Sequence, residues 1–305
     1  MSVVCVAGGT GGAKLAAGLQ EVVGAELAVV VNTADDTEIH GLLVSPDPDL
    51  VTYWLAGEID ETRGWGIRDD TSVVHERLER LGAPGWFSLL DRDLATCLYR
   101  THFLSEGGSL TGAQGQIARA LGATAQVLPM SEQPVRTFVH TPAGRRGLQE
   151  FLILDRGAAQ IDGVELEGIA EAKPTSEVLA ALADAEVIVL GPSNPVISIG
   201  PILALPGMRE AIVSSPAKVV AVSPLVGGRA VKGPTAAFVA ALGRPVSAAG
   251  IASLYAGLLD GMVVDAGDPD PGPEEIAVLS CPTLMKGASS RRALAERVLE
   301  FARSL

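Results

Sequence analysis

Three features are absent from this sequence, and each absence excludes a class of protein. No apolar run approaches the roughly 20 residues that a membrane-spanning helix needs, so we expect no membrane protein. The cysteines, Cys5, Cys97 and Cys281, are odd in number and far apart, unlike a disulfide scaffold or a zinc site. No basic segment with an apolar stretch and a cleavage site precedes the first predicted strand. We therefore expect a soluble, cytoplasmic protein with reduced thiols.

Basic residues are also scarce. The chain has 23 Lys and Arg against 36 Asp and Glu, a net charge of −13, which would repel a nucleic-acid backbone. We therefore expect no nucleic-acid partner. Hydrophobic residues make up 48% and charged residues 19%, which excludes a disordered chain. An anionic ligand must then be held locally, by backbone amides, a few basic side chains or a metal ion.

What is present is a glycine-rich segment near the start of the chain. An apolar run at residues 2–7 predicts a strand, a helical pattern follows, and Leu27–Val31 predicts a second strand. The segment between the first strand and the helix reads Gly8, Gly9, Thr10, Gly11, Gly12, Ala13, Lys14. Glycines let backbone N–H groups approach a phosphate, and the helix N-terminus adds its dipole.

This segment matches neither of the common nucleotide-binding patterns. Lys14 stands where the dinucleotide fingerprint has its third glycine, and Leu15 follows it where a P-loop has Ser or Thr. We predict a phosphate-binding loop. The alternative is a glycine turn that only lets a helix pack closely on a strand.

Acidic residues follow the second predicted strand. Asp35 and Asp36 lie just beyond its carboxyl end, where open α/β sheets bind ligands. Residues 45–49 predict a proline-stiffened turn with two further carboxylates, Asp47 and Asp49. Two acidic segments beside a phosphate-binding loop suggest Mg²⁺, which prefers carboxylate oxygens and shared phosphate ligands. The alternative is that these are solvated turn acids.

The middle of the chain predicts two insertions. Residues from about 50 to 125 are helical in pattern, and Trp65, between two glycines, either stacks on a planar ligand ring or fills a helix junction. Residues from about 135 to 170 predict a β-hairpin insertion, with strands at 135–140 and 148–153.

From residue 175 onward, strands and helices alternate again. A helix is capped by Thr175 or Ser176, a short strand is expected near Val246, and Ser289 or Ser290 caps the last helix. The loop at 191–201 has three prolines and offers neutral hydrogen bonds from Ser193, Asn194 and Ser198. The whole predicts a Rossmann-like, doubly wound, mostly parallel α/β sheet in a single domain spanning residues 1–305.

Read together, the motifs resemble the 2-phospho-L-lactate transferase family of coenzyme F420 biosynthesis. The resemblance runs from residue 1 to about 285. It rests on residues 8–14, 32–36, 46–49, 63–66, 91–96 and 191–201, and on Ser223-Pro224 with Gly233-Pro234. It implies a Rossmann-like core and a homodimer.

The resemblance also implies a magnesium-dependent transferase. The donor would be lactyl- or enolpyruvyl-2-diphospho-5′-guanosine, a three-carbon acid linked to guanosine diphosphate. The acceptor would be the terminal ribityl hydroxyl of Fo, 7,8-didemethyl-8-hydroxy-5-deazariboflavin. The products would be coenzyme F420-0 or dehydro-F420-0 and GMP.

The resemblance assigns candidate site residues in three groups. The metal ligands would be Asp35, Asp36 and Asp49, and the catalytic residues Asp35, Asp36 and His40. The substrate and nucleotide would contact Gly8, Gly9, Thr10, Gly11, Gly12, Lys14, Asn32, Ser193, Asn194 and Ser198, with Trp65 beside the acceptor.

Two other functions stay open at this point. One is a nucleotide-sugar-binding regulator of the gluconeogenesis-factor type. Its aspartates are typically followed by Gly-Gly-Ser-Ser-Gly, whereas residues 37–41 here read Thr-Glu-Ile-His-Gly, which favours the transferase. The other is an NAD-dependent oxidoreductase with Asp35 on the ribose. Against it, three residues separate Asp35 from the end of the strand, and Lys14 breaks the fingerprint.

Overall fold

A seven-stranded parallel β-sheet forms the centre of the computed structural model, which describes residues 1–305. The strands of the protein are β1 (Val3–Ala7), β2 (Leu27–Val31), β3 (Thr37–Ile39), β4 (Leu42–Val44), β5 (Gln126–Pro129), β6 (Arg136–Thr141), β7 (Gly144–Gly147), β8 (Gly163–Glu167), β9 (Val187–Leu190), β10 (Lys218–Val222), β11 (Leu225–Val226), β12 (Arg229–Ala230), β13 (Gly261–Asp265) and β14 (Ala277–Cys281).

Twelve α-helices connect and cover these strands. They are α1 (Gly9–Val23), α2 (Pro46–Ala56), α3 (Val73–Arg80), α4 (Asp91–Ser105), α5 (Leu110–Leu121), α6 (Leu148–Ile153), α7 (Ser176–Ala183), α8 (Ile199–Ala204), α9 (Met208–Ser214), α10 (Thr235–Ala241), α11 (Ala248–Leu254) and α12 (Ala288–Ser304).

The strand order of the central sheet is β14-β13-β10-β9-β1-β2-β5, and every neighbouring pair is parallel. The chain runs outward from β1 through β2 to β5, then returns to the other side of β1 and continues from β9 to β14. The direction of winding therefore reverses between β1 and β9. In open α/β sheets the crevice at such a reversal is where ligands bind. The predicted doubly wound α/β class is confirmed.

Alternate residues of the strands feed two hydrophobic cores, one on each face of the sheet. In β1, Val3, Cys5 and Ala7 join the core formed with α1, α2 and α12, whereas Val4 and Val6 join the core formed with α7 to α9 and α11. Strands covered on both faces are apolar throughout, which is why β1 and β2 were recognisable as continuous apolar runs. The three cysteines are free and buried, as expected.

The helical segment between β2 and β5 differs from the prediction at its start. Residues 46–49 form the first turn of α2 rather than a proline-stiffened turn. The first N–H groups of a helix have no intrahelical acceptor, so no helical hydrogen bond is lost because Pro46 and Pro48 lack an N–H. Asp47 and Asp49 are favourable at the same place because they face the positive end of the helix dipole.

The second insertion is a three-stranded antiparallel sheet, β7-β6-β8, in which β6 and β7 form the predicted hairpin. The second predicted strand, 148–153, is wrong: it forms helix α6. Its buried residues Leu148 and Phe151 are three apart, which is helical spacing. Residues 163–167, for which no strand was predicted, supply the third strand, β8.

Two smaller expectations also fail, and one is confirmed. No strand forms near Val246, and α12 begins at Ala288 with Gly287 rather than Ser289 or Ser290 as its N-cap residue, although Ser290 Oγ accepts from the Gly287 N–H at 3.0 Å. Thr175 does cap α7, because its hydroxyl accepts from the Val178 N–H at 3.2 Å. None of the helices combines the length and the apolar character needed to cross a membrane.

Candidate active site

The loops that follow β1, β2 and β9 are tied together by hydrogen bonds at the reversal of the sheet. The Gly8 N–H donates to Ser193 Oγ at 3.2 Å, and Ser193 Oγ in turn donates to the Gly8 carbonyl. Asn32 Nδ2 donates to the Ile197 carbonyl at 3.3 Å. Ser198 is buried beside Gly8. These contacts hold the three loops against one another.

The predicted glycine loop is the start of helix α1, which begins at Gly9. A Cβ atom on Gly11 would overlap the carbonyl oxygen of Pro192, and one on Gly12 would overlap Ser193 Oγ and approach the Ala7 Cβ. These two glycines therefore let α1 pack directly against the loop after β9. Close packing, which the sequence left open as the alternative, is part of their role.

The same turn also presents backbone donors. Thr10 and Gly11 lie in the first turn of α1, where no intrahelical acceptor exists, and no loop or side chain accepts from their N–H groups. Donors of this kind at the positive end of a 15-residue helix favour an anion such as a phosphate.

Asp47, which the sequence placed in an acidic segment but not among the candidate site residues, is part of the site. Its Oδ1 accepts from the Gly9 N–H at 2.6 Å and its Oδ2 from Asn32 Nδ2 at 3.0 Å, so it joins the ends of β1 and β2. Burial raises the pKa of Asp47 to about 6, although the bonds from Asn32 and Gly9 oppose this shift. The available signal was Pro46 followed by Asp47, which is typical of a helix start.

The three predicted metal ligands share one property. Asp35, Asp36 and Asp49 each use one carboxylate oxygen in a hydrogen bond within the protein, and each leaves the other oxygen buried without a partner. Buried polar atoms are rarely left unpaired, so three such oxygens in adjacent segments call for a ligand.

The raised pKa values of two of these carboxylates also favour a bound cation. Burial raises the pKa of Asp36 to about 7, even though Arg136 and Arg100 act to lower it. The pKa of Asp35 is raised well above its usual range by burial and by the charges of Asp47 and Asp36. A divalent cation would relieve both the repulsion and the loss of hydration.

The structure does not by itself bring the three predicted ligands to one point. The group of acidic and thiol atoms that lie within 4.8 Å of one another is Asp49, Asp93 and Cys97. Asp49 in that group is already paired with the guanidinium of Arg100. The free oxygens of Asp35, Asp36 and Asp49 nevertheless fit Mg²⁺, because it prefers oxygen ligands. Their convergence on one ion stays a prediction.

A cavity of about 390 Å³ opens beside the carboxylates. Its walls include Tyr53, Trp65, Trp86 and Phe87, together with Asp47 and Asp49. Trp65 is 45% exposed, and the Arg63 guanidinium lies 4.9 Å from the centre of its ring. An apolar cavity with a few polar groups at one side suits a planar ring that bears a polar chain.

Other predicted residues lie away from the carboxylates or are engaged in the fold. His40 is exposed in the turn between β3 and β4, while Asp36 lies at the base of that hairpin. Lys14 Nζ donates to the Met285 carbonyl at 3.4 Å. The side chain of Asn194 accepts from N–H groups of its own loop. Their catalytic or binding roles stay predictions.

Comparison with known proteins gives a consistent result. The family model described as 2-phospho-L-lactate transferase CofD matches residues 3–276. The 2-phospho-L-lactate transferase of Methanosarcina mazei is 41% identical, over 97% of this chain and 99% of that protein. The phosphoenolpyruvate transferase of Streptomyces griseus is 40% identical, over 99% of this chain and 98% of that protein.

A solved structure agrees with the fold. It is a member of the UPF0052 family from Bacillus halodurans, with a TM-score of 0.66 and 20% identity, and the match covers 98% of both chains. At this identity the likeness extends to the fold alone.

Proposed function

The chain belongs to the 2-phospho-L-lactate transferase CofD family, and from that premise we propose that it moves a 2-phospholactyl or phosphoenolpyruvyl group onto Fo. The donor is lactyl- or enolpyruvyl-2-diphospho-5′-guanosine. The acceptor is the terminal ribityl hydroxyl of Fo, and the products are coenzyme F420-0 or dehydro-F420-0 and GMP. The two relatives are named for different acids, so the proposal covers both donors.

The observation that supports this proposal most strongly is the set of unpartnered, buried oxygens on Asp35, Asp36 and Asp49. Asp35 and Asp36 follow β2, and Asp49 lies in the first turn of α2 and lines the aromatic cavity. An anion-binding helix start, acidic groups suited to a cation and a cavity for a planar ring are the three parts that this reaction needs.

The transfer is a phosphoryl-type displacement. The ribityl hydroxyl oxygen of Fo attacks the phosphorus next to the carried acid, and the bond from that phosphorus to the bridging oxygen breaks. GMP leaves with the bridging oxygen, and the hydroxyl proton passes to water. Such a reaction needs little covalent help from the protein, because positioning and neutralisation of charge dominate.

Each part of the site has a role in that positioning. The N–H groups of Thr10 and Gly11 bind phosphate oxygens of the donor. Asp47 holds the start of α1 against Asn32. Magnesium, bound by Asp35, Asp36 and Asp49, would neutralise charge on the transferred and leaving phosphates. We also propose a homodimer, as the family resemblance implies.

The family match favours the transferase over the regulator and the oxidoreductase, and a titration separates all three. With magnesium present, purified protein is titrated with Fo, UDP-N-acetylglucosamine and NAD, and the melting temperature is recorded. We expect the melting temperature to shift with Fo. We expect no shift with the other two ligands up to the concentration that saturates Fo binding. A shift with UDP-N-acetylglucosamine or NAD, without one for Fo, would contradict the proposal.

A further inference from the structure

A second cavity, of about 180 Å³, is lined by Asp36 and shares no lining residue with the aromatic cavity. Its walls include Thr33, Asp36, Glu132 and Arg136. We propose that it binds the carboxylate of the three-carbon acid that the donor carries, and so selects a small carboxylic acid as the transferred group. This inference rests on the proposed function.

Arg136 supplies the positive charge of this cavity. It is the first residue of β6, and its side chain makes one hydrogen bond, from Nη1 to the Val135 carbonyl at 2.7 Å. It forms no ion pair, whereas Arg145 on the neighbouring strand pairs with two glutamates. The remaining donors of the Arg136 guanidinium are therefore free to bind a ligand in the cavity, and their planar fork matches a carboxylate.

A hydroxyl group on the same wall also lacks a partner. Thr33 is 2% exposed, and its Oγ1 has no hydrogen-bond partner. A buried hydroxyl is normally paired, so this one indicates a polar ligand in the adjoining space. Thr33 and Arg136 together offer a neutral donor and a charged donor to one anion.

The acidic groups of the cavity do not cancel its preference for an anion. Both oxygens of Glu132 are occupied, because they accept from the N–H groups of Leu110 and Thr111 at 2.7 and 3.1 Å. The negative charge of Glu132 therefore stabilises the N-terminus of α5. Asp36 is one of the carboxylates proposed to bind the cation. Arg136 acts on the pKa of Asp36 but forms no ion pair, so it is the charged group of the cavity that is open to a ligand.

The positions of the two cavities fit the reaction. Asp36 lines the smaller cavity, while Asp47 and Asp49 line the aromatic one. An acid bound to Arg136 would therefore lie beside Asp36, and a ring bound beside Trp65 would lie beside Asp49. Both are proposed ligands of one cation, which would bring the acceptor hydroxyl near the phosphorus that the acid bears.

Calorimetric binding of phosphoenolpyruvate and of its carboxamide, with magnesium present, tests the inference without requiring turnover. Wild type should bind the acid about 10- to 100-fold more tightly than the amide, since a hydrogen bond to a charged partner is lost. Arg136→Gln should lose that preference while its affinity for GMP stays unchanged. The matched control, Arg145→Gln, removes an arginine from the same small sheet and should keep the preference.

Equal binding of acid and amide by wild type would overturn the inference, and so would an Arg136→Gln protein that keeps the preference. If Arg136→Gln does not fold, Arg136→Lys replaces it, with a reduced but measurable preference expected. An unchanged preference in Arg136→Lys would contradict the bidentate arrangement. Failure of the proposed function is a separate result, because it would appear as absent GMP release by wild type with either donor, whatever the binding data show.

Discussion

At Asp49, a carboxylate and a guanidinium are both withdrawn from water. Arg100 is fully buried in α4; it contacts Asp49 and donates to Gln114 Oε1 at 3.4 Å and to the Leu43 carbonyl at 3.2 Å. Burial raises the pKa of Asp49, and Arg100 opposes that shift. Charges buried in this way are tolerated only as a pair, so each depends on the other.

Removal of the arginine alone should therefore be costly. Arg100→Met leaves Asp49 buried without its partner, and we expect the free energy of unfolding to fall by about 3–5 kcal/mol in urea titrations. The double variant Arg100→Met/Asp49→Leu removes both charges and should recover most of that loss. An exposed ion pair contributes at most about 1 kcal/mol. If the free energy of unfolding of Arg100→Met lies within that amount of the wild-type value, the two charges do not depend on each other as described.

The second prediction at the residue scale concerns the cation. Asp36→Asn removes a charge whose burial is unfavourable without metal, so we expect a folded protein at least as stable as wild type in EDTA. We expect it to lose the rise in melting temperature that magnesium gives wild type. Its turnover should fall at least about 100-fold, because several kcal/mol of charge stabilisation are lost.

Asp184→Asn, at an exposed position, is the control for Asp36→Asn and should behave as wild type in both assays. A magnesium response that survives in Asp36→Asn would show that Asp36 is not a ligand.

The acidic character of the site was visible in the sequence, but its pairings were not. Asp35 and Asp36 stand out because they follow a recognisable strand. Arg100 lies 51 positions from Asp49 and outside every motif that the sequence shows, and Asp47 lies 38 positions from Gly9. Such pairs form only when the tertiary packing is complete, so no local pattern encodes them.

At the scale of elements, the contact between α1 and the loop after β9 decides the shape of the site. Gly11 faces the Pro192 carbonyl and Gly12 faces Ser193, so the helix start and the loop are in direct contact. A side chain at either position would push the loop away from the first turn of α1. The phosphate-binding donors and the loop are therefore coupled.

Two glycine substitutions should have opposite effects on stability. Gly11→Ala overpacks this contact, and we expect a loss of about 1–3 kcal/mol together with weaker GMP binding. Gly115→Ala, inside α5, meets only the end of a flexible arginine and should add roughly 0.5–1 kcal/mol because the helix interior is favoured by alanine. Equal effects of both changes in chemical denaturation would show that the contact is looser than described.

Local patterns also misled where helix and strand compete over short segments. Residues 148–153 are rich in large apolar residues, which suit a strand equally well, and only packing of Leu148 and Phe151 into a small core favours the helix. Prolines at 46 and 48 suggested a turn, although the first turn of a helix accepts them.

For the whole molecule, alternation of apolar strands and helices was sufficient to predict the class of the fold. It was not sufficient to predict the strand order, because nothing local states that β9 returns beside β1 after the 179 residues of intervening chain, 8–186. That return creates the reversal of the sheet, and the reversal brings Ser193 and Ile197 to Gly8 and Asn32. The site is a property of the complete topology.

Mass spectrometry of the reaction mixture decides whether the protein carries out the proposed transfer. Purified protein is incubated with Fo, magnesium and either guanosine-linked donor, with a parallel reaction in EDTA. We expect a product equal in mass to coenzyme F420-0 or dehydro-F420-0, formed in step with GMP and only where magnesium is present. Unchanged Fo and intact donor in every magnesium-containing reaction would contradict the proposed transfer.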